Sequence, residues 1–401
     1  MHSRKAGRLA AGALAASLLM AGCAEGGDDP AGGGGEAKGP FTVVVDTGFT
    51  GVTAAVANQV FLGLQTAADG INASGGIGGR QVELVKIDDG GDPTKAVTEL
   101  QNYLSSGKTP DIVYAGINSS ETLALLPLLS QRKIVSIAQT QSAPLNDPTK
   151  YPYHFGISPT NKDRGSVFGP QLVKDGVKKL AAVVPADAFG KDVAAMLTAV
   201  TQANGVTLDV QEYDVAGLDY SSSYQRAIRG NPDAVFVEGT GDASARLFAA
   251  RLKVGATNIR TYGGFGVSSV PPNTFAEAAA LPNCSFPVYS YTVQGGISGS
   301  SAEALAPLAT AVKNAKAASV FVPGLGYDAL RTVAKAAAGT TDAESLKSAL
   351  SSLTIEPGYL VTQTGGFSYS SSSHFPGAPK GADQTFVPCT AKTADGFWQT
   401  A

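Results

Sequence analysis

Residues 179–213 read KLAAVVPADAFGKDVAAMLTAVTQANGVTLDVQEY. Lys179 to Pro185 has the texture of a strand, Gly190 to Ala203 that of an amphipathic helix, and Val206 to Tyr213 that of a second strand. Strand, helix and strand in so short a stretch make a βαβ unit, whose two strands lie parallel in one sheet. The same alternation extends in both directions. Upstream, Phe41 to Asp46 is a strand, and Val56, Val60, Leu64, Ala67 and Ile71 mark one face of a helix over 54–72 that should end at Gly75-Gly76. A strand over Gln81 to Asp88 follows, then a helix opened by Asp92-Pro93 with Val97, Leu100 and Leu104 on its core face. Strands at Asp111 to Ala115, Lys133 to Ala138 and Tyr153 to Ile157, with a helix at Ser120 to Gln131, complete the first half, and a helix over Lys162 to Lys174 opens the second. Downstream come a helix over Tyr220 to Arg229, a strand over Ala234 to Glu238, a helix over Ala243 to Val254 and a strand over Ile259 to Tyr262.

About ten strands are too many for one strongly twisted open sheet, so the pattern predicts an α/β chain with two lobes. Two further helical faces follow, one on Tyr327, Leu330, Ala334 and Ala337, the other on Leu346, Leu350 and Leu353 behind a Thr341/Glu344 capping pair. From Pro357 the texture changes to short β-like pieces and a Ser/Gly stretch, Ser368 to Gly381, which reads as a closing flap or surface extension.

Composition agrees with this size. The 401 residues are 43% hydrophobic, enough for two compact domains. Charged residues are 16% against a usual value of about 25%, and the net charge is −3, which excludes both a disordered acidic chain and a basic nucleic-acid binder. Forty-eight Gly imply many tight connections between strands and helices.

The first 22 residues read as an address. Arg4, Lys5 and Arg8 precede the apolar run Leu9 to Ala21, too short for a stop-transfer helix, and Gly22-Cys23 closes it. Leu19-Met20-Ala21-Gly22-Cys23 resembles the bacterial lipoprotein cleavage box, with Met20 where Leu is usual, which implies lipidation of Cys23; the alternative is an ordinary secretory signal with an incidental Cys. Residues 23–40 are Gly-rich with no large apolar residue, a flexible tether. The processed chain would carry 27 Lys+Arg against 33 Asp+Glu, a net of −6. An exported chain meets oxidising conditions, so Cys284 and Cys389 are expected to pair, the alternative being two buried thiols.

Residues for chemistry are scarce. Only His154 and His374 remain after processing, and neither sits in a metal-ligand spacing. No P-loop, zinc helix or hydrolase elbow occurs in the right context. Gly75-Gly76-Ile77-Gly78-Gly79 follows a helix and precedes a strand, the reverse of a dinucleotide loop, and reads as a helix cap with a tight turn. In open α/β sheets the ligand lies beyond the C-terminal strand ends, here 46–51, 116–121, 138–142, 185–189, 238–242 and 263–266. The first three are rich in hydroxyls: Thr47, Thr50, Ser119, Ser120, Thr140 and Ser142. Ser119 and Ser120 stand at a helix entry that favours a carboxylate, although plain N-capping would also account for one Ser.

With these features in place, residues 41–355 resemble a type I periplasmic binding protein of the leucine/isoleucine/valine-binding family. The resemblance rests on Gly63-Leu64-Gln65, Ile71-Asn72-Ala73-Ser74 and the glycines through Gly79, on Asp88-Asp89-Gly90-Gly91-Asp92-Pro93, on Gln141-Ser142-Ala143-Pro144-Leu145, and on Phe189-Gly190 and Asp219-Tyr220, each opening a helix. It implies two Rossmann-like lobes joined by a hinge of three crossovers, 41–158 plus 288–356 forming the first and 159–287 plus 357–401 the second with a C-terminal extension. It implies Ser119 on a ligand carboxylate, Thr140 and Ser142 on the adjacent loop, and Phe189 closing from the second lobe. The positions matching the family's acidic ammonium contacts hold Asn161 and Phe265, neither anionic, and Thr240 stands where a Tyr is common. Glu238, Asp242 or Asp187 supplies the missing charge, or they are solvated loop acids.

The sequence thus predicts an exported, lipid-anchored solute-binding protein at the outer face of the cell membrane. It would deliver an amino-acid-like or carboxylate solute to the permease subunits of an ABC importer, as a monomer, with no cofactor, no metal, no nucleic acid and no chemical step. A sensory receptor domain of the same fold is the alternative, and an exported hydrolase a more remote one for want of a base.

Overall fold

The computed structural model describes residues 39–269, 276–289, 292–293, 298–317, 319–339, 342–377, 384–389 and 398. The expected signal peptide over 1–22, Cys23 and the expected tether as far as residue 38 lie outside these residues, as does Thr341.

Five parallel strands form the first sheet in the order β2-β1-β3-β4-β5: β1 (Phe41–Thr47), β2 (Val82–Asp88), β3 (Ile112–Ala115), β4 (Val135–Ala138) and β5 (His154–Gly156). The register runs Val43 against Leu84 and Ile112, so the apolar stretch of β1 is central and wholly buried. Helices α1 (Ala54–Ala73), α2 (Pro93–Ser105) and α3 (Ser119–Gln131) connect these strands. Asp92 caps α2 by accepting from Thr94 N and Lys95 N, and Pro93 opens it. After α1 the chain reverses through Gly75 and Gly76 at φ 101° and 83°, angles that a side chain would strain.

The second sheet has the order β13-β10-β9-β8-β6-β7, with β6 (Lys179–Pro185), β7 (Thr207–Tyr213), β8 (Ala234–Val237), β9 (Arg260–Gly263), β10 (Cys284–Tyr289) and β13 (Gln384–Pro388). All pairs are parallel except β13, which runs antiparallel along β10. Its helices are α4 (Asn161–Arg164), α5 (Phe168–Lys174), α6 (Ala188–Ala203), α7 (Ser221–Ile228) and α8 (Asp242–Lys253). The single helix expected over 162–174 is two, joined by a tighter turn at Gly165–Val167. Cys284 and Cys389 are disulfide-bonded with Cα atoms 5.2 Å apart, where Cys389 N donates to Cys284 O at 2.9 Å.

After β10 the chain returns to the first lobe as α9 (Gly299–Ala315), α10 (Phe321–Ala336) and α11 (Ala343–Ser351). Helix α11 is capped by Asp342, which accepts from Ser345 N. Helices α1 and α10 cross at two glycines: a Cβ on Gly63 would overlap Pro323 O, and one on Gly326 would overlap Val60 O. The ribbon β11 (Thr354–Ile355) with β12 (Phe367–Ser368) follows.

Residues 357–375, assigned on sequence to the second lobe, pack instead on the first. Tyr369 Oη donates to Gly156 O at 2.8 Å, Gly156 N donates to His374 O at 2.9 Å, and the His374 ring stacks on Phe155 with centroids 4.2 Å apart. Apolar side chains hidden among the serines draw this stretch inward: Tyr369 and Phe375 are both buried. The chain therefore passes between the sheets three times, after β5, after β10 and after β12. Among the described residues no helix is long and apolar enough to cross a membrane.

Candidate ligand-binding site

In the first sheet the strand order reverses between β1 and β3, and in the second between β6 and β8. Such a reversal splays the loops at the strand ends and leaves a crevice. The two crevices face each other across a small cavity of about 50 Å³. The first lobe lines it with Val56, Ile117, Asn118, Ser119, Gln139, Thr140 and Gln141, and with Phe321, Val322 and Leu325 at the start of α10. The second lobe contributes Phe189, Thr240, Phe265, Gly266 and Ser269.

At the α3 entry, Asn118 is the cap: its Oδ1 accepts from Ser120 N at 2.8 Å, while Glu121 Oε2 reaches back to Ile117 N and Asn118 N at 3.1 and 3.3 Å. Capping therefore does not occupy Ser119. Ser119 is 2% exposed, and among the described residues its Oγ has no hydrogen-bond partner. A buried hydroxyl without a partner costs free energy, and this one borders the cavity at a helix N-terminus, where a carboxylate is favoured. Gln141 Oε1 is likewise buried and unpaired. Thr140 Oγ1 lies 3.1 Å from Thr122 Oγ1, which fixes it beneath the cavity.

Of the eight residues expected to bind ligand, Ser119, Thr140, Phe189, Thr240 and Phe265 line the cavity. The structure does not bring Ser120, Ser142 and Asn161 to it. Ser120 Oγ accepts from Ala188 N at 3.4 Å, Ser142 Oγ donates to Ala188 O at 3.4 Å, and Asn161 Nδ2 donates to Asp192 Oδ2 at 2.8 Å. The first two bridge the lobes. Asn118, Gln139, Gln141 and Ser269 were missed, although the first three lie on or beside the hydroxyl-rich loops. The apolar wall at Phe321 to Leu325 was missed because the sequence pattern of α10 becomes regular only from Tyr327.

None of the three acids named as ammonium partners lines the cavity. Asp242 is exposed at the first turn of α8, and Asp187 caps α6 by accepting from Gly190 N at 2.9 Å. Glu238 is fully buried beneath Gly266, and burial pushes its carboxyl up to about 8. Every described residue lining the cavity is uncharged. Below Ser119, Asp46, Asp89 and Glu121 form a buried carboxyl group; burial, then the charge of Asp89, pushes Asp46 up to about 9. Burial and Asp89 likewise raise Glu121. Asp46 and Glu121 therefore hold their protons at neutral pH, whereas Asp89, raised only to about 6 by burial, keeps its charge.

Arg164 is buried in the second lobe, its guanidinium carbon 4.4 Å from the Phe265 ring centroid and 5.3 Å from that of Tyr289. Phe265 thus separates a charge from the cavity, and its face gains a cation–π contact.

A family model described as periplasmic binding protein matches residues 40–377. A Leu/Ile/Val-binding protein, BraC3, of Rhizobium johnstonii is 28% identical over 233 residues, 57% of this chain. The match spans 62% of that relative, less than two thirds of its length. An extracellular ligand-binding receptor from Rhodopseudomonas palustris HaA2 superposes with a TM-score of 0.76 at 18% identity, over 91% of this chain and 100% of that one. A solute-binding protein of an ABC transporter from R. palustris BisB5, solved with 3,4-dihydroxybenzoic acid, gives 0.73 at 20% identity over 89% and 94%. At these identities the two structural likenesses show a shared fold.

Proposed function

Because the chain belongs to the periplasmic binding protein family, of the leucine/isoleucine/valine-binding type, we propose that it is the exported solute-binding component of an ABC importer. It closes its lobes on a small carboxylate with an apolar body, such as a deaminated amino acid or an aromatic acid, and presents the closed form to permease subunits. Lipidation at Cys23 holds it at the outer face of the membrane, and the solute leaves unchanged.

The observation that carries the solute class is a cavity whose described lining is wholly uncharged, with a Ser119 hydroxyl at the entry of α3 that has no partner among the described residues. The hydroxyl and the helix end suit a carboxylate, and Phe189, Phe321, Val322 and Leu325 suit an apolar body. An ammonium group would be desolvated there without an anionic partner, which is costly. The acid solved with the R. palustris BisB5 protein is of this class. Amino-acid binding is the competing reading, since BraC3 is named for leucine, isoleucine and valine.

The test is a melting series of the purified chain with leucine, isoleucine, valine and phenylalanine, each beside its deaminated acid and its amide, plus 3,4-dihydroxybenzoate. A ligand at about a hundred times its Kd stabilises by about 2.7 kcal/mol. Shifts from the acids and none from the amino acids are expected. Shifts from the amino acids alone would overturn the solute class while leaving the transport role standing.

A further inference from the structure

Glu238 follows β8 directly, and its fully buried side chain turns toward the next strand's loop. Its Oε1 accepts from Gly239 N at 3.1 Å and from Gly266 N at 2.9 Å, and the N–H of Val267 also bonds the carboxyl. One carboxyl thus serves N–H donors from the loop after β8 and the loop after β9. The loops are fitted around it: a Cβ on Gly264 would overlap Glu238 Oε2, and one on Gly266 would stand 2.7 Å from Oε1 and 2.9 Å from Thr240 Oγ1. Only glycine allows this approach at both positions. The residues these loops carry, Thr240, Phe265, Gly266 and Ser269, are most of what the second lobe presents to the cavity.

We infer that Glu238 is a positioning residue: it ties the loop after β8 to the loop after β9 and so sets the second-lobe wall against which the solute closes. The inference deepens the carboxylate-binding reading and rests on it for the solute, while the loop tie itself is a property of the protein alone.

Two consequences separate this role from ordinary core packing. First, the tie needs an acceptor and not a charge. Removing the acceptor takes the partner from the N–H groups of Gly239, Gly266 and Val267, whereas glutamine keeps a carbonyl oxygen in the same place. Second, Glu238 is mostly neutral below about pH 8 and ionises above it. The groups facing it are Arg164 on α4, which favours the anion, and Tyr213 on β7, whose Oη donates to Glu238 O at 2.9 Å and which burial keeps protonated. Ionisation places a negative charge one layer behind the solute, so a carboxylate binds less well as pH rises through 8, with Arg164 opposing the loss.

The experiment compares wild type, Glu238→Gln and Glu238→Leu, titrated calorimetrically with 4-methylpentanoate and 3,4-dihydroxybenzoate from pH 6.5 to 9.5. Amide exchange at Gly239 and Gly266 is followed in the same samples without solute. Expected are near wild-type affinity in Glu238→Gln at pH 7, a loss of about tenfold or more in Glu238→Leu, and faster exchange of both amides in Glu238→Leu alone. Wild type should weaken above pH 8, and Glu238→Gln should be flat. If Glu238→Leu does not fold, the pH profile of wild type against Glu238→Gln still decides. Protected amides and unchanged affinity in Glu238→Leu, or identical pH profiles, would overturn the inference. If wild type binds neither acid, the carboxylate reading fails by itself, and the exchange rates alone then support or refute the tie.

Discussion

Ser119 carries a hydroxyl that no other described residue uses. A buried Oγ without a partner costs free energy in the unliganded chain, so Ser119→Ala should leave the melting temperature unchanged or raise it. The same change should weaken a carboxylate about tenfold to a hundredfold, because a hydrogen bond to a charged acceptor contributes about 1.5–3 kcal/mol. Calorimetry with 4-methylpentanoate beside a thermal melt checks both halves, and parallel losses of stability and affinity would mean the hydroxyl is structural. The neighbouring Ser120 shows where sequence reasoning stops. It shares the loop and the residue type, yet successive helix residues point about 100° apart, so one serine meets the cavity and the next meets Ala188 across the lobe boundary. Residue type and strand-end position were legible for Ser119, Thr140, Phe189, Thr240 and Phe265. Side-chain direction was not, and direction decides between touching solute and touching the other lobe.

Elements with a local signature were the legible ones. The βαβ unit at 179–213 and its neighbours announce themselves through apolar spacing, because each helix must bury one stripe and each central strand both faces. Strand β10 lacks that signature: it carries Pro287. Its partner β13 comes from the far end of the chain, so their antiparallel pairing has no sequence-local cause at all. What holds this sheet edge is the Cys284–Cys389 bond, which closes a separation of 105 residues. Cross-linking so long a segment restricts the unfolded chain, and removing such a bond costs about 2–5 kcal/mol. Replacing both cysteines by alanine should therefore lower the melting temperature and speed amide exchange in β13. Affinity for 3,4-dihydroxybenzoate should stay within about twofold, since no residue of β10 or β13 lines the cavity. A large loss of affinity would show that this edge reaches the site.

Across the whole molecule, the two lobes share contacts that involve no solute. Helix α6 in the second lobe supplies them: Asp192 Oδ1 accepts from Ala143 N at 3.1 Å, Asn118 Nδ2 donates to Asp187 Oδ2 at 3.4 Å, and Ala188 bonds Ser120 and Ser142. On the other flank, Gly241 lies so close to Val52 that a Cβ would stand 2.6 Å from its carbonyl oxygen. Solute affinity is the intrinsic affinity of the closed form scaled by the fraction of molecules that are closed. Asp192→Ala deletes a carboxylate bond between the lobes to a backbone N–H, so it should enlarge the unliganded particle in X-ray scattering and weaken every solute by a common factor of about ten. A common factor is the decisive feature. Asp192 also holds Asn161, whose N–H donates to Gln141 O at 2.8 Å on the cavity wall, so a change in the ranking of solutes would place its effect in the site itself. An unchanged ranking with an expanded free particle would instead make α6 a latch, and the free energy of closure would then be a quantity set by residues that never touch the ligand.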